Sequence, residues 1–324
     1  MVTPFWPRKS PHFLRLRRAV RAVAGDPVIG LSGGADSLAL VAAAIAENRC
    51  VHAVIIDHVL QPGSAEIARR SAERAAHLGA TTQIITVTVP QGNIEAMARK
   101  VRYAALHEIA RQYGRALWVG HTMDDQAETF LLSALRGHAT GMVIDKENEN
   151  LKRPFLQVRR QDTRMACQEL GLEYWDDPMN DDTRFLRVAL RTEILPHIAQ
   201  YTHSDPVIAF AQAAENIAAQ QHYIDSAAEA ASVAGAADDL KSLAIAELAA
   251  LDQAVRRQRI IAFLHEHETK VTAAATTAIE QLIINWHGQG GVAVGGNKQY
   301  RLEVVRKNGK LLIEQKFNGT KSQQ

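Results

Sequence analysis

Cysteine is scarce in this sequence of 324 residues, and no apolar run is long enough to cross a membrane. Cys50 and Cys167 lie far apart and form no C-x-x-C pair, which excludes a disulfide framework and a cysteine metal cluster. A bilayer span needs about 20 consecutive apolar residues, and no run approaches that length. These absences indicate a protein of the reducing cytoplasm with no membrane segment.

Acidic residues are absent before Asp26, although this stretch contains the basic residues Arg8, Lys9, Arg15, Arg17, Arg18 and Arg21. An arginine-rich start is also typical of a transit peptide. We disfavour that interpretation because Leu14, Val20 and Val23 form an apolar helical stripe and a strand follows at once. Two interpretations of the basic residues stay open, a solvated helix face and a contact with a polyanion.

The first half of the chain alternates short apolar runs with longer amphipathic stretches, the pattern of repeated β-α units around a parallel sheet. The expected strands are Val28–Leu31, Val51–Ile56, Thr82–Val87 and Leu117–Gly120. The expected helices are Ser37–Glu47, Ala65–Leu78, Ile94–Gln112 and Asp125–Leu135. Right-handed crossovers would align the carboxyl ends of the strands, so we expect Ser32, Asp57 and His121 at one edge of an α/β fold.

The second half of the chain is expected to complete a first domain and then to form a further, mainly helical domain. We expect an exposed loop at Asp145–Asn150 and two helices, Val158–Leu170 and Phe185–Ile198, which close a first domain of residues 1–203. Residues 204–324 are expected to contain the helices Pro206–Ala234, Leu240–Ala249, Gln253–His265 and Ala273–His287. A plain turn at Gly288–Gly296 and a small C-terminal β hairpin, Tyr300–Arg306 and Lys310–Glu314 around Asn308-Gly309, would complete this domain.

The segment Val28–Ser37, V-I-G-L-S-G-G-A-D-S, admits two incompatible interpretations. Gly30–Gly34 fits the G-x-S-x-G elbow of serine hydrolases, with Ser32 as nucleophile, whereas Ser32–Ser37 fits an anion cradle at a helix N-terminus. A hydrolase elbow follows earlier strands that supply its oxyanion hole, and only a basic helical segment precedes Val28. We therefore favour the phosphate cradle, and the absence of G-x-x-x-x-G-K-S/T excludes a Walker loop.

The composition of this loop suits a metal-bound triphosphate. Gly33 and Gly34 let the backbone approach an oxyanion closely, and Ser32 and Ser37 add hydroxyl donors. The helix that follows adds the positive end of its dipole. A carboxylate beside a triphosphate is repulsive unless a cation lies between them, so Asp36 indicates a Mg²⁺ ion that bridges it to phosphate oxygens.

The loop S-G-G-A-D-S after the first strand resembles the pyrophosphate loop of the N-type ATP pyrophosphatases. Further motifs narrow the resemblance: Asp57-His58-Val59-Leu60, Gly92-Asn93-Ile94-Glu95, Ala98-Arg99, Arg102-Tyr103, H-T-M-D-D-Q-A-E-T at His121–Thr129, Arg153-Pro154-Phe155-Leu156, Asp176-Asp177, Asn180-Asp181-Asp182 and Leu195-Pro196. Together they resemble the tRNA(Ile)-lysidine synthetase family over about the first 200 residues. One departure is Val188, because the family usually has an Arg-Asn pair where this chain has Arg187-Val188.

The resemblance implies an ATP pyrophosphatase domain and a carbon–nitrogen ligase that attaches lysine to C2 of the wobble cytidine in isoleucine tRNA with a CAU anticodon. ATP would adenylate the cytidine with release of diphosphate, lysine would displace AMP, and the tRNA would decode AUA instead of AUG. The ATP-binding residues would be Ser32, Gly33, Gly34, Ala35, Asp36, Ser37 and Asp57. Asp36 would also hold Mg²⁺.

The segment after the fourth predicted strand supplies the remaining chemistry. Asp125 and Glu128 are three residues apart on one helix face, where two carboxylates could hold a lysine ammonium group. His121 could accept a proton or steady charge on the cytidine. The catalytic candidates are Asp36, His121, Asp125 and Arg99, and the candidates for phosphate or tRNA contacts are Arg102, Arg187 and Arg191. The alternatives are capping aspartates, a loop histidine and surface salt bridges.

The tRNA would present its target base unstacked and bind through phosphates and loop bases. Candidate basic surfaces are the N-terminal segment, the strands with Lys298, Arg301, Arg306, Lys307 and Lys310, and a helix with Arg256, Arg257 and Arg259. Two other functions are considered, a tRNA thiolase with the same ATP loop, which would generally need paired cysteines, and an inactive tRNA-binding homologue. The sequence leaves the oligomeric state open, with a homodimer as one alternative.

Overall fold

The computed structural model describes residues 6–7, 9–59, 63–88, 94–137, 139–146, 150–234, 242–297 and 299–317, and the side chains of 94–96 and 232–234 lie outside that description. The chain divides into two compact units, Met1–Ala218 and Ala219–Gln324, and each has a hydrophobic core of its own. The division falls inside one long helix, Pro206–Ala234. A functional boundary after residue 203, just before that helix, stays a prediction.

A six-stranded sheet forms the centre of the first unit. Its strands are β1 (Pro27–Gly30), β2 (His52–Asp57), β3 (Thr81–Thr86), β4 (Ala116–Trp118), β5 (Asp145–Lys146) and β6 (Leu151–Lys152). Their order across the sheet is β3-β2-β1-β4-β6-β5, and neighbours are parallel except β5 and β6. The parallel α/β architecture expected from the sequence is therefore confirmed.

Helices cover both faces of this sheet. The described helices of the first unit are α1 (Pro11–Arg21), α2 (Ala35–Ala46), α3 (Ser64–Leu78), α4 (Ile94–Gln112), α5 (Met123–Ala134), α6 (Arg160–Glu169), α7 (Leu186–Ala189), α8 (Leu195–Thr202) and the first part of α9 (Pro206–Ala234). Successive strand side chains point to opposite faces, so Val28 packs in the cluster with α4 while Ile29 packs in the cluster with α1 and α2. Both side chains are fully buried, which fixes β1 in the middle of the fold.

Two local expectations for the first unit are wrong. The expected loop at Asp145–Asn150 contains β5 and leads into β6, whose Leu151 is buried in the core. The expected continuous helix Phe185–Ile198 is divided into α7, a π-helical turn at Leu190–Ile194 and α8. Pro196 has no N–H to donate to the carbonyl four residues earlier, so the regular hydrogen-bond ladder cannot run through this point.

The second unit contains three helices besides the end of α9, within the part of the chain that the structure describes. These are α10 (Ile245–Ala250), α11 (Gln253–Glu266) and α12 (Ala273–Ile284), and the strands are β7 (Ser242–Ala244), β8 (Val292–Gly296), β9 (Tyr300–Lys307) and β10 (Lys310–Phe317). The strands form an antiparallel sheet of order β7-β10-β9-β8. The predicted β9–β10 hairpin is confirmed as part of this larger sheet.

Two strands of that sheet were not expected. Within the predicted helix Leu240–Ala249, residues Ser242–Ala244 form β7, because they pair with β10, which lies far ahead in the chain. The predicted plain turn Gly288–Gly296 contains β8, which pairs with β9 around a bulge. Gly296 has φ +123°, and a Cβ there would lie 2.3 Å from the carbonyl oxygen of Tyr300. Glycine is thus required by a strand contact rather than by a turn.

Three of the four arginines of α1 have acidic partners in the first unit. Arg15 pairs with Asp162 at 2.7 Å, and Arg17 and Arg21 both pair with Glu47. These contacts favour the interpretation of a structural, partly solvated helix face for these side chains. Among the described residues, no helix combines the length and the hydropathy that a membrane crossing requires.

Candidate active site

The phosphate loop connects β1 to α2 in a conformation that depends on Gly33, whose φ is +90°. Gly34 is the N-cap residue of α2, so Ala35 and Asp36 lie in the first helical turn. The Ser37 hydroxyl accepts from the backbone N–H of Ser32 and lies 3.1 Å from the Ser32 hydroxyl. The loop is thereby closed on itself with two hydroxyls at the positive end of a helix dipole.

The carboxyl ends of β1, β2 and β4 surround a cavity of about 430 Å³. Its lining includes the sequence-predicted residues Ser32, Asp36, Ser37, Asp57, Arg102, His121 and Asp125. Parallel strands bring these distant residues to one edge, as the α/β pattern indicates. Of the other residues named from the sequence, Arg8, Leu60, Gly92, Asn93 and Lys298 lie outside the described part of the chain.

The Asp36 carboxylate is oriented by α6. Its Oδ1 accepts a hydrogen bond from the Thr163 hydroxyl, and its Oδ2 lies 3.6 Å from Arg160 Nε. Burial raises the pKa of Asp36 to about 6, although the nearby Arg160 opposes the shift. A cation near this carboxylate would offset its desolvation and favour the ionised form.

Asp125 caps the helix that carries it and also forms an ion pair. Its Oδ2 accepts from the backbone N–H and the hydroxyl of Thr122, each at 2.8 Å, in a capping box at the start of α5. Its Oδ1 lies 2.8 Å from Arg160 Nη2. Burial alone would raise the pKa of Asp125, but the guanidinium groups of Arg160 and Arg187 outweigh it and hold the pKa below its usual value. Asp125 is therefore a stable anion.

Glu128, one helical turn further along α5, is 0% exposed and lies among three guanidinium groups. Oε1 contacts Arg160 and Arg191 at 2.8 Å, and Oε2 contacts Arg187 at 2.7 Å. Burial would raise the pKa of Glu128, but Arg160 and Arg191 lower it. Arg187 and Arg191 are four residues apart, on one side of their helical segment, and both reach this carboxylate. Glu128 lies behind the cavity and is not among its lining residues.

Two histidines line the cavity, His121 and His58, and each has a buried Nδ1 without a hydrogen-bond partner among the described residues. Burial lowers the pKa of His121 to about 4, and the positive charges of Arg153, Arg99 and Arg187 add to the shift while Asp125 opposes it. Burial and then Arg102 lower the pKa of His58. Both imidazoles are therefore neutral at physiological pH, with a nitrogen available to a ligand.

Arg102 and Arg99 flank the aromatic ring of Tyr103 on α4. The guanidinium carbons lie 5.7 Å and 4.9 Å from the ring centroid, respectively. Arg102 and Tyr103 line the cavity, whereas Arg99 is exposed and is not among the lining residues. Burial lowers the pKa of Arg102, and no described carboxylate forms an ion pair with it. Arg102 thus offers a positive charge that a ligand could neutralise.

Asp57 occupies the end of β2, where the residue is only 7% exposed. Its Oδ1 accepts a hydrogen bond from the backbone N–H of Val59 at 2.9 Å, and Val59 adopts φ 53°. A left-handed conformation is strained for a β-branched residue, so the Asp57 carboxylate holds this turn in place. The turn positions His58 at the cavity.

Comparisons with known proteins agree with this geometry. A family model described as a PP-loop domain matches residues 14–198. The chain is 43% identical to the tRNA(Ile)-lysidine synthase of Corynebacterium glutamicum, over 95% of this chain and 96% of the relative. The chain belongs to the tRNA(Ile)-lysidine synthase family. Another member, from Corynebacterium diphtheriae, is 49% identical over 95% of this chain and 99% of its own.

Solved structures add support for the fold of this lysidine synthase family member. The U34-tRNA thiolase NcsA from Methanococcus maripaludis superposes with a TM-score of 0.53, at 15% identity, over 64% of this chain and 80% of the thiolase. At that identity the likeness concerns the fold alone. Cys50 and Cys167 are both free thiols, and Cys50 is exposed whereas Cys167 is buried.

Val188 replaces the asparagine that resemblance to the lysidine synthase family leads one to expect. Its side chain is buried, with 6% exposed, and lies between Arg187 and the π-helical turn. Arg187 and Arg191 still converge on Glu128 without an amide between them. An apolar residue at this position is therefore compatible with the arginine cluster.

Sequence reasoning missed Arg160, Thr163 and Trp175. Arg160 and Thr163 contact Asp36 from α6, and Trp175 lines the cavity while its backbone N–H donates to the carbonyl of Gly33 at 3.0 Å. The sequence contained one local signal for Arg160. Two adjacent arginines, Arg159 and Arg160, are unfavourable at the positive end of a helix dipole unless nearby carboxylates neutralise their charge. The acids that do so, Asp124 and Asp125, lie on another helix.

Proposed function

We propose that this protein joins lysine to C2 of the wobble cytidine in isoleucine tRNA bearing a CAU anticodon, at the expense of ATP. The product would decode AUA rather than AUG. The observation that carries the proposal is the single cavity lined by Asp36 of the phosphate loop and by His121 and Asp125 of the α5 segment. The proposed sites for ATP, cytidine and lysine therefore open into one cavity. The names of the relatives supply the substrates.

The phosphates of ATP are proposed to bind at Ser32–Ser37, with the N–H groups of Gly33, Gly34 and Ala35 and the hydroxyls of Ser32 and Ser37 as donors. Asp57 contributes by holding the turn at His58. Within the described residues no group of three or more His, Cys, Asp or Glu side chains could hold a metal ion. Mg²⁺ often uses one carboxylate together with phosphate oxygens and water, and Asp36 fits that mode.

In the first step, O2 of the cytidine attacks the α phosphorus of ATP and diphosphate leaves. Bound Mg²⁺ would supply charge neutralisation for the phosphates. Arg102 lines the cavity without a described carboxylate partner, so it is the arginine best placed to approach a phosphate or the base. Arg99 is exposed above the ring of Tyr103, where it would contact the tRNA or phosphates. The loop donors stabilise charge that develops on the departing oxygens.

In the second step, the ε-amine of lysine attacks C2 and AMP leaves. This amine must be neutral, so the ammonium group held by protein carboxylates in the reacting state is the α-ammonium. Asp125 lines the cavity and is a stable anion, which suits a direct contact. A contact with Glu128 requires an arginine to move, and Arg187 is the most exposed of its three partners at 37%. We propose that lysine takes the place of Arg187.

His121 is proposed to act as a neutral hydrogen-bonding partner of the cytidine. A pKa of about 4 makes its imidazole a weak base at neutral pH, which argues for the stabilising role over proton abstraction. Its unpartnered Nδ1 belongs to a residue that lines the same cavity as Asp125. The proton of the ε-ammonium would then pass to solvent before the attack.

Residues 204–324 are proposed to bind the tRNA, and one surface stands out by its side chains. Most of the sequence-predicted basic residues there have acidic partners, as in Arg256 and Arg257 with Glu280 and Lys307 with Glu314. Arg306 lies 4.7 Å above the ring of Trp286 and forms no described ion pair, and its Nη1 donates to the carbonyl of Leu282 at 2.8 Å. Trp286 is 49% exposed. An exposed aromatic ring beside a guanidinium group that has no described carboxylate partner suits an unpaired base and its phosphate.

The decisive assay combines labelled lysine, ATP with Mg²⁺ and isoleucine tRNA bearing a CAU anticodon. We expect ATP-dependent incorporation of lysine into the tRNA together with release of AMP and diphosphate. Absence of incorporation by folded protein rejects the proposal. Incorporation of sulfur would favour the thiolase alternative, and tRNA binding without any turnover would favour the inactive homologue.

The cellular setting is proposed on the same grounds. A cytoplasmic location follows from the proposed substrate, and fractionation of cells checks it. A homodimer is the alternative to a monomer, and sedimentation of the purified chain at several concentrations distinguishes the two.

A further inference from the structure

Arg160 is the one described side chain that contacts Asp36, Asp125 and Glu128 together. Its Nε lies 3.6 Å from Asp36 Oδ2, its Nη2 lies 2.8 Å from Asp125 Oδ1, and its Nη1 lies 2.8 Å from Glu128 Oε1. Each guanidinium nitrogen therefore faces a different carboxylate. The planar fork of arginine, unlike a lysine ammonium, can hold three such directions at once.

The backbone of Arg160 is fixed as firmly as its side chain. Its N–H donates to Asp124 Oδ2 at 2.7 Å, and the neighbouring Arg159 also pairs with Asp124. One turn further along α6, Thr163 donates to Asp36. The start of α6 is thus attached to the start of α5 and to the phosphate loop, and the guanidinium is 15% exposed between them.

We propose that Arg160 is a positioning residue that sets the carboxylate of the adenylation step and the carboxylates of the lysine site through one guanidinium group. This inference rests on the proposed function, in which Asp36 serves the first step and Asp125 and Glu128 serve the second. Arg160 itself does not line the cavity, so it acts through the three carboxylates and not by touching a substrate.

The physical consequence is that both half-reactions depend on the same side chain. Without Arg160, Asp36 loses a positive neighbour, and Asp125 loses its 2.8 Å partner. Glu128 keeps Arg187 and Arg191 but is no longer tied to α6. The three carboxylates would repel one another and shift apart. A residue that merely stabilised the fold would change the melting temperature without changing both substrate steps.

The test uses Arg160→Gln and Arg160→Lys in the full chain, with Arg164→Gln as the matched control. Arg164 lies one turn further along α6, is 44% exposed and pairs with Asp176. Diphosphate release from ATP and tRNA without lysine measures the first step. The apparent KM for lysine and kcat for its transfer to tRNA measure the second, and thermal melting reports the fold.

We expect Arg160→Gln to slow diphosphate release and to raise the KM for lysine, each by roughly 10- to 100-fold, because charge-assisted hydrogen bonds are lost. Arg160→Lys should restore part of the rate of one step but not of both, since a lysine ammonium cannot contact the three carboxylates in the directions that the guanidinium group does. Arg164→Gln should behave as the unmodified protein. A double substitution of Arg160→Gln with Glu128→Gln should raise the KM for lysine by less than the product of the single effects.

An effect of Arg160→Gln on only one step, or on neither, overturns the proposal. If Arg160→Gln does not fold, the folded Arg160→Lys variant provides the test. Rates of both steps equal to those of the unmodified protein in Arg160→Lys would contradict the proposal. A failure of the proposed function is recognised separately, because the unmodified protein would then incorporate no lysine at all.

Discussion

A Cβ on Gly33 would lie 2.6 Å from the hydroxyl oxygen of Ser71, because the phosphate loop packs directly against α3. Gly33 also has φ +90°, a conformation that other residues adopt at a cost. The two requirements coincide at the point where the loop is expected to receive phosphate. A substitution here would disturb both the backbone and its contact with α3.

We predict that Gly33→Ala strongly reduces diphosphate release from ATP. Gly25→Ala is the matched control, since Gly25 has φ +93° but no atom within 4 Å of an added Cβ. Both variants should lose about 1–2 kcal/mol of stability through the left-handed backbone, and Gly33→Ala should lose more because its Cβ would lie 2.6 Å from the Ser71 hydroxyl. Only Gly33→Ala should also slow the reaction, by roughly tenfold or more for a further 1.4 kcal/mol. Equal activities of the two variants would contradict this prediction.

The next prediction separates the roles of Asp36 and Ser32 in the same loop. Asp36→Ala should abolish diphosphate release and AMP formation, because the carboxylate proposed to hold Mg²⁺ is lost. Ser32→Ala should weaken the reaction by about tenfold, the scale of one hydrogen bond. Both rates are measured with saturating ATP and tRNA. If Ser32→Ala were as inactive as Asp36→Ala and an acylating reagent labelled the protein, Ser32 would be a nucleophile.

The protonation of His121 gives a prediction in pH. Its imidazole should titrate at about 4 instead of its usual 6.5, because burial disfavours the charged form. Since the folded pKa is lowered, the contribution of His121 to stability is present above pH 6.5 and is lost as the pH falls toward 4. Nitrogen NMR titration of the labelled protein checks the midpoint, and His121→Asn assigns the signal. A midpoint near 6.5 would restore the general-base role.

The proposed tRNA surface in the second unit gives a prediction about Trp286. Trp286→Ala should weaken tRNA binding by roughly 5- to 100-fold, because base stacking on an aromatic ring contributes about 1–3 kcal/mol. Tyr223→Ala is the control, since Tyr223 is 75% exposed on α9 and has no described cation above its ring. Filter binding with isoleucine tRNA measures the affinity. Similar losses in both variants would show that exposed aromatic area alone explains the effect.

Local patterns predicted the elements that form the site because their signals are short in range. The β1 run, the glycine loop and the α2 pattern lie within one continuous segment, and the rule for parallel strands then places Ser32, Asp57 and His121 at one edge. One element that was wrong depends on a distant partner, because β7 pairs with β10 far ahead in the chain. The other, β8, pairs with the adjacent β9, but its glycine-rich sequence favours a turn over a strand.

The sequence by itself determined the parallel sheet and the phosphate loop. It also identified Asp36, His121, Asp125 and Glu128 as ionisable candidates for one site. Hydrophobic periodicity and motif spacing contain that information. Tertiary structure alone decided the partners of those charges. Arg160 joins Asp36, Asp125 and Glu128, and Arg187 and Arg191 close around Glu128, because helices distant in sequence pack together at the sheet edge. Ion pairing depends on distances of a few ångströms, which residue order does not specify.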